Sequence, residues 1–287
     1  MKQEFISKKE CLITELISEC VIGISKNNIK RLIKDGEVKL NGEKQKTDVI
    51  LKKGDLIAVF IPKAFVQNAS GLIDNVKIVY EDDNILICHK PKGMDCENNL
   101  YSIIANKYPF AILNHRLDRQ TDGLVIFSLN QHSYNAVCSA LKNQTIEKYY
   151  YAAIKGKFNK DGTHTAFLTK NSADSFVKIS DNQTKDSKKI ISHFKLIKQQ
   201  NDNLCVIEAM PITGKTHQLR AHLAFLGHPI LGDTKYGLCK NPPLHLSSYK
   251  IIFRKMLPPL EYLNEQTVKI PLNIFDKTIF RRYNYLS

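Results

Sequence analysis

The most informative segment of this chain is Asn114-His115-Arg116-Leu117-Asp118-Arg119-Gln120-Thr121-Asp122-Gly123-Leu124-Val125-Ile126-Phe127-Ser128. Two arginines and two aspartates lead through a glycine into an apolar run typical of a buried strand. Unpaired charge beside an apolar core loses its hydration, so such a cluster is costly unless its members pair or act on a ligand. The stretch is therefore either a structural ion-pair cluster or a functional site.

The spacing inside this stretch favours a functional site. Arg116 and Asp118 are two residues apart and lie on one face of an extended segment, while Gly123 permits backbone geometry denied to other residues. The string His115-Arg116-Leu117-Asp118-x-x-Thr121-x-Gly123-Leu124 resembles the signature of the RluA-type pseudouridine synthases, which isomerise uridine in RNA. The resemblance implies that Asp118 is the catalytic residue. We further expect Thr121 and Gly123 to shape the turn presenting it.

A second motif lies in an alternating segment that reads as a strand, Lys148-x-Tyr150-x-Ala152-x-Ile154-x-Gly156. Alternation puts Lys148 and Tyr150 on one face and Tyr149 and Tyr151 on the other. The motif resembles the second motif of the same family. It implies that Tyr150 lines the active site against the target base.

A third motif is Thr213-Gly214-x-Thr216-His217-Gln218-x-Arg220-x-His222-Leu223, with Lys215 where arginine is more usual in the family. The resemblance implies that Arg220 pairs with Asp118. A buried guanidinium in that position would keep the carboxylate ionised and aimed. The alternative is an ordinary ion pair of a helix.

The first sixty residues predict a small helical module with a hairpin. Apolar residues recur at helical spacing over 11–24 and again at Ile29, Leu32 and Ile33, and strands follow, the last from Leu56 to Ile61. Arg31-Leu32-Ile33-Lys34-Asp35-Gly36, Val38-x-Leu40-Asn41-Gly42 and Lys53-Gly54-Asp55 resemble the S4-like RNA-binding module. The second helix carries the candidate RNA-binding residues Lys26, Lys30, Arg31 and Lys34, whose charges would track phosphates unless they form a merely solvated face.

These segments predict two domains of the α+β class. Residues 1–62 form the S4-like head, the aperiodic residues 63–73 form a linker, and residues 74–287 form the pseudouridine synthase domain. That domain is expected to have a mixed, largely antiparallel sheet, flanking helices and a central cleft. Residues 157–203 read as strands and polar turns to which no chemistry is assigned.

Composition indicates a polyanionic partner. The formal net charge of +14 and a pI near 9.3 favour nucleic acid over membrane, although a lysine-rich proteome would give the same values. The cysteines are odd in number, seven, with no C-x-x-C pair, and are typical of a reducing compartment. The charged N-terminus lacks the apolar core of a signal peptide, so we expect a cytoplasmic protein.

Neither a phosphate loop nor a metal site is predicted. Ala209-x-x-x-x-Gly214-Lys215-Thr216 lacks the first glycine of a Walker A loop, and Pro211 removes a backbone N–H. His217, His222 and His228 have spacings of five and six and no acidic or cysteine companion, unlike a zinc site. The isomerisation of uridine imports no group and oxidises nothing, so no cofactor is expected.

The mechanism that the resemblance implies uses one carboxylate. Asp118 either attacks the sugar or removes a sugar proton, and the residues leave that choice open. The target base must leave its stack, which requires an aromatic wall and a positive groove. Tyr150 offers the wall, Arg116 is the candidate to occupy the vacated position or hold the backbone, and Lys148 and Thr121 are further candidate RNA contacts.

Three alternatives stay open at this point. The chain could be a non-catalytic RNA-binding factor of ribosome assembly, a synthase acting on transfer RNA, or a glycosidase-like hydrolase using Asp118 with Asp122. The S4-like head favours large-subunit ribosomal RNA as the partner, and we expect a monomer.

Overall fold

The structure is a computed structural model that describes residues 2–21, 24, 26–62, 75–170, 176–237 and 243–271. At residues 26, 27 and 200 the structure describes the backbone only, and the predicted linker 63–73 lies outside the described residues. Among the residues described, no helix is both long and apolar enough to cross a membrane.

The N-terminal part contains two helices packed on a small antiparallel sheet. Its core is formed by the apolar faces that the helical spacing predicted, including Ile13, Ile17, Ile29 and Leu32. The first helix is shorter than predicted because Cys11 and Leu12 pair with residues 50–51 as strands. The elements are β1 Lys2–Ile6, β2 Cys11–Leu12, α1 Ile13–Cys20, α2 Lys26–Lys34, β3 Val38–Leu40, β4 Glu43–Gln45, β5 Ile50–Leu51 and β6 Leu56–Phe60, with sheet order β1-β6-β3-β4.

The remainder is built on one large sheet. Its helices are α3 Tyr101–Lys107, preceded by a π-helical turn Cys96–Leu100, α4 Gln131–Lys142, α5 Gln218–Phe225 and a 3₁₀ turn Glu261–Leu263. Its strands are β7 Lys77–Glu81, β8 Ile85–Lys90, β9 Ile112–Leu113, β10 Asp122–Ser128, β11 Ile146–Lys155, β12 Gly162–Lys170, β13 Val177–Ser180, β14 Lys188–Asn201, β15 Leu204–Pro211, β16 Leu246–Phe253 and β17 Thr267–Lys269.

The strand order is β13-β12-β14-β15-β11-β16-β10-β8-β7, with β9 on β10 and β17 on β16. Among these described strands every pairing is antiparallel except that of β10 with β16. The predicted α+β class with a largely antiparallel mixed sheet is confirmed. Residues 157–203 supply β12, β13 and β14, which extend one edge of the sheet.

Alternation along the strands divides the sheet into two buried faces. In β10 all seven residues are buried, with Val125 and Phe127 packing on one face and Leu124 and Ile126 on the other. The second face is covered by α4. The first face also receives Tyr150 from β11, and the candidate site lies on this side.

Gly123 is required where β10 meets β16. Its φ is +124°, in the region that favours glycine, and a Cβ placed there would lie 2.1 Å from the carbonyl oxygen of Ser248. Gly123 and Ser248 are partners in the one parallel pairing described. A side chain at position 123 would therefore prevent β16 from pairing with β10 at this distance. The close approach that the sequence suggested for this glycine is present.

We expect Gly123→Ala to lower the free energy of unfolding by about 3 kcal/mol or to prevent folding, since the methyl group meets backbone rather than a movable side chain. Urea denaturation measures the change. Gly214→Ala is the matched control because no atom lies within 4 Å of its added Cβ. Equal stability of the two variants would contradict this account of the strand pairing.

Candidate active site

A cavity of about 540 Å³ opens on the first face of the large sheet. It brings together Asp118, Tyr150 and Arg220, one residue from each of the three predicted motifs. Arg116, Thr121 and Lys148 also line it.

The loop that carries Asp118 is held on both sides of that residue. On one side the Cys96 thiol accepts a hydrogen bond from the Leu117 N–H (3.3 Å) and lies 3.5 Å from the Leu117 carbonyl. On the other side the Arg119 carbonyl accepts from the Gly93 N–H (2.8 Å), and Arg119 Nε donates back to the Gly93 carbonyl (2.7 Å). The backbone at Asp118 is therefore fixed by its neighbours.

Lys90 supports the same loop from below. Its ammonium is fully buried and donates to the carbonyls of Met94 (2.8 Å), Pro91 (3.1 Å) and Arg119 (3.4 Å). Burial lowers the pKa of Lys90 to about 8, which still leaves it mostly protonated at neutral pH. Three acceptors match the three donors of the ammonium, so this buried charge is satisfied.

Arg220 joins two carboxylates. Its Nη1 donates to Asp118 Oδ2 (2.9 Å), while Nε and Nη2 donate to the two oxygens of Asp233 (2.8 and 2.9 Å). The Asp233 side chain is 0% exposed, whereas that of Asp118 is 28% exposed. The bidentate pair fixes the plane of the guanidinium and leaves one nitrogen for Asp118.

Asp233 is an anchor that the motifs did not reveal. Burial acts to raise the pKa of its carboxyl, but the hydrogen bonds and charge of Arg220 outweigh burial, so the net shift is downward. It also accepts from the backbone N–H groups of Lys235 (2.9 Å) and Tyr236 (3.1 Å). The available sequence signal was a carboxylate directly after the apolar run that ends at Gly232.

His217 faces the other oxygen of Asp118. Its Nε2 lies 3.8 Å from Asp118 Oδ1, and its Nδ1 lies 2.9 Å from the hydroxyl of Tyr236, which accepts from the Val177 N–H (3.1 Å). Burial is the main cause that lowers the pKa of His217, so a neutral imidazole is expected. Its position in the third motif gave no indication of this contact with Asp118.

Tyr150 and Lys148 lie side by side on β11. Tyr150 is 8% exposed, and burial raises the pKa of its phenol, which therefore stays neutral. Burial also lowers the pKa of Lys148 to about 8. The predicted alternation is present, since Tyr150 belongs to the core on the cavity side and Tyr149 and Tyr151 belong to a cluster on the opposite face.

The other candidate RNA contacts differ in exposure. Arg116 is exposed and pairs with Glu97 (2.6 Å) at the cavity rim, whereas Thr121 is buried and its N–H closes the turn on the Asp118 carbonyl (3.0 Å). On α2, the outward face carries Lys30, Arg31 and Lys34, all exposed; Arg31 pairs with Asp35 (3.5 Å). For Lys26 the structure describes the backbone only.

The remaining sequence candidates do not share the site. Asp122 is 5% exposed and faces Lys92 (3.5 Å) and Ser247 (3.3 Å), away from the cavity lining. A hydrolase that pairs Asp118 with Asp122 therefore lacks its second carboxylate in the cavity. In the described part of the chain, no group of three or more metal-ligating residues is placed to hold an ion.

Comparison with known proteins assigns the family. The model of the RNA pseudouridylate synthase family matches residues 84–225. An uncharacterized RNA pseudouridine synthase of Mycoplasma genitalium is 31% identical over 255 residues, which is 83% of this chain and 81% of the relative. The chain belongs to the RNA pseudouridylate synthase family. The RluA-type resemblance of the three motifs is thereby confirmed, and the chain is an enzyme that acts on RNA.

Further relatives of this synthase are similar over most of its length. Ribosomal large subunit pseudouridine synthase C of Rickettsia felis is 32% identical over 232 residues, 73% of this chain and 76% of the relative. The solved structure of human RNA pseudouridylate synthase domain containing 1 shares the fold, with a TM-score of 0.57 at 21% identity, covering 74% of this chain and 96% of that one. The family assignment supports an enzyme rather than the non-catalytic alternative.

We expect Asp233→Asn to lower the free energy of unfolding of the synthase by about 3 kcal/mol, because it leaves the buried Arg220 with a single carboxylate. Turnover should fall about tenfold or more, since the guanidinium that holds Asp118 is no longer fixed in plane. Denaturation and pseudouridine formation measure the two effects. Asp35→Asn, which breaks the exposed pair with Arg31, should change stability by less than about 0.5 kcal/mol.

Proposed function

We propose that this synthase converts specific uridines of large-subunit ribosomal RNA to pseudouridine, with Asp118 as the catalytic residue. The observation that carries the assignment is the state of Asp118: one carboxylate oxygen is held by Arg220 at 2.9 Å, and the partly exposed group opens into the cavity. An ionised carboxylate fixed in this way is ready either to attack the sugar or to remove a sugar proton.

The surroundings of Asp118 supply the other needs of the reaction. A uridine must be flipped out of its stack to reach a cavity of this kind, and Tyr150 offers an aromatic wall against which the base would lie. Arg116, exposed at the rim, is proposed to occupy the vacated position in the RNA. Its pair with Glu97 is solvent-exposed and therefore weak enough to exchange for RNA.

Two observations support ribosomal RNA as the substrate. Several relatives are named ribosomal large subunit pseudouridine synthase C. The N-terminal part, which we propose to be a separate S4-like domain of residues 1–62, presents the exposed basic face of α2 with Lys30, Arg31 and Lys34, to which we add Lys26. Such a face binds a structured RNA through its phosphates and leaves selection of the uridine to the cavity.

We expect Asp118→Asn to abolish pseudouridine formation while the affinity for RNA stays within several-fold, because the amide is nearly isosteric and removes only the reactive charge. Tritium release from RNA labelled at C5 of uridine measures product, and filter binding measures affinity. Asp181→Asn, at an exposed turn after β13, is the control and should behave as wild type. Equal loss of product and of RNA binding in Asp118→Asn would indicate a structural role.

The substrate is tested in cells. Chemical mapping should show pseudouridine missing at one or more positions of large-subunit ribosomal RNA in cells without the protein. It should return with the wild-type chain but not with Asp118→Asn. If the missing pseudouridine is found in transfer RNA instead, the ribosomal assignment is wrong while the role of Asp118 is retained.

A further inference from the structure

Lys148 is a partly buried cation inside the candidate active site. Its side chain lines the same cavity as Asp118, two residues along β11 from Tyr150. Alternate residues of a strand lie on one face roughly 7 Å apart, so the ammonium is on the side where Tyr150 would contact the base. The neighbouring ring of His115 accepts the Ile126 N–H at Nε2 (3.2 Å) and has its pKa lowered by burial and by the charge of Lys148. It is therefore neutral.

The carboxylates of the cavity are already engaged elsewhere. Asp118 is bound by Arg220 (2.9 Å) and Glu97 by Arg116 (2.6 Å), while Asp95 accepts from the Asn98 N–H (2.7 Å). Among the residues that the structure describes, the Lys148 ammonium has no hydrogen bond and no ion pair. No described residue therefore supplies a counter-charge for this ammonium.

The cavity contains a second lysine whose exposure differs from that of Lys148. Lys215 also lines the cavity, but its side chain is exposed and water solvates it. Lys148 is mostly withdrawn from water, and burial alone lowers its pKa, to about 8. A cation that lines a reaction cavity with no counter-charge among the described residues points to a negative charge that arrives with the ligand.

The isomerisation itself produces such a charge. When the bond from N1 to C1′ breaks, its electron pair stays on the uracil and is shared with O2 and O4. C5 then bonds to C1′, the C5 proton is lost, and N1 takes up a proton, so the product has the composition of the substrate. The uracil anion forms whether Asp118 attacks the sugar or removes a sugar proton.

We propose that Lys148 stabilises the uracil anion after the glycosidic bond breaks, as a cation placed beside the base held against Tyr150. The proposal rests on the function proposed above and adds a second residue in contact with the reacting base. A charge fixed in advance where negative charge develops favours the transition state over the bound substrate. Loss of this contact should therefore slow the reaction more than it weakens RNA binding.

The test compares two leaving groups under single-turnover conditions. Short RNAs carry either uridine or 5-fluorouridine at the target position, and consumption of that nucleoside is followed at saturating enzyme. Fluorine makes N1 of the detached base more acidic, so its anion needs less help from a cation. Lys148→Met should consume uridine about 100-fold more slowly than wild type. The same variant should lose about tenfold or less on 5-fluorouridine.

Two other variants separate this role from charge in general. Lys148→Arg keeps a cation and should retain activity on both RNAs within about tenfold. Lys215→Met removes the exposed cation and should weaken RNA binding in a salt-dependent way, with the same change for both nucleosides. Because both RNAs meet the same enzyme preparation, the uridine to 5-fluorouridine ratio does not depend on the fraction folded. Lys148→Gln is measured as a second neutral variant in case Lys148→Met does not fold.

The outcomes distinguish this inference from the proposed function. Equal losses on the two RNAs, together with weaker binding, would show that Lys148 contacts phosphate only and would overturn the inference. Full activity of both neutral variants would overturn it as well. If the wild-type chain consumes neither nucleoside in any ribosomal RNA fragment, the proposed function fails instead.

Discussion

The arrangement of the site depends on the ion pairs that the buried guanidinium of Arg220 forms with Asp233 and Asp118. The guanidinium satisfies two of its nitrogens on Asp233, which is fully buried, and gives a third to Asp118, which is partly open to the cavity. The ion pair to Asp233 offsets the cost of burying the guanidinium and holds it in one plane. Asp118 thereby gains a fixed partner without losing its access to the cavity.

The backbone around Asp118 is fixed by polar contacts that reach it from other parts of the chain. Cys96 lies within hydrogen-bond distance of both backbone groups of Leu117, and Lys90 and Gly93 hold Arg119. None of these contacts involves the Asp118 side chain, because each one binds a neighbouring residue. These contacts lock the backbone of the loop that presents the reactive group.

The charged residues of this protein form two groups that differ in their exposure to solvent. The surplus that gives a net charge of +14 is carried largely by lysines, many of them exposed, and suits a polyanionic partner whatever its sequence. The buried charges of the site, Lys90 and Arg220 among them, are each matched to specific acceptors. Lys148 differs from both groups because it lines the cavity, is only partly buried and has no described partner.

The family, the α+β class, the alternation of β11 and the candidates Asp118, Tyr150 and Arg220 could all be predicted from the sequence, because motif spacing and periodicity are local properties of the chain. The sequence did not reveal the anchor Asp233, the support of Lys90 or the place of His217 beside Asp118. These contacts arise only in the folded chain, since Arg220 and Asp118 meet across 102 residues and Asp233 reaches Asp118 through Arg220. Contacts between distant residues leave no periodic signal, and burial, which gives a charge its chemical character, exists only once the sheet has assembled.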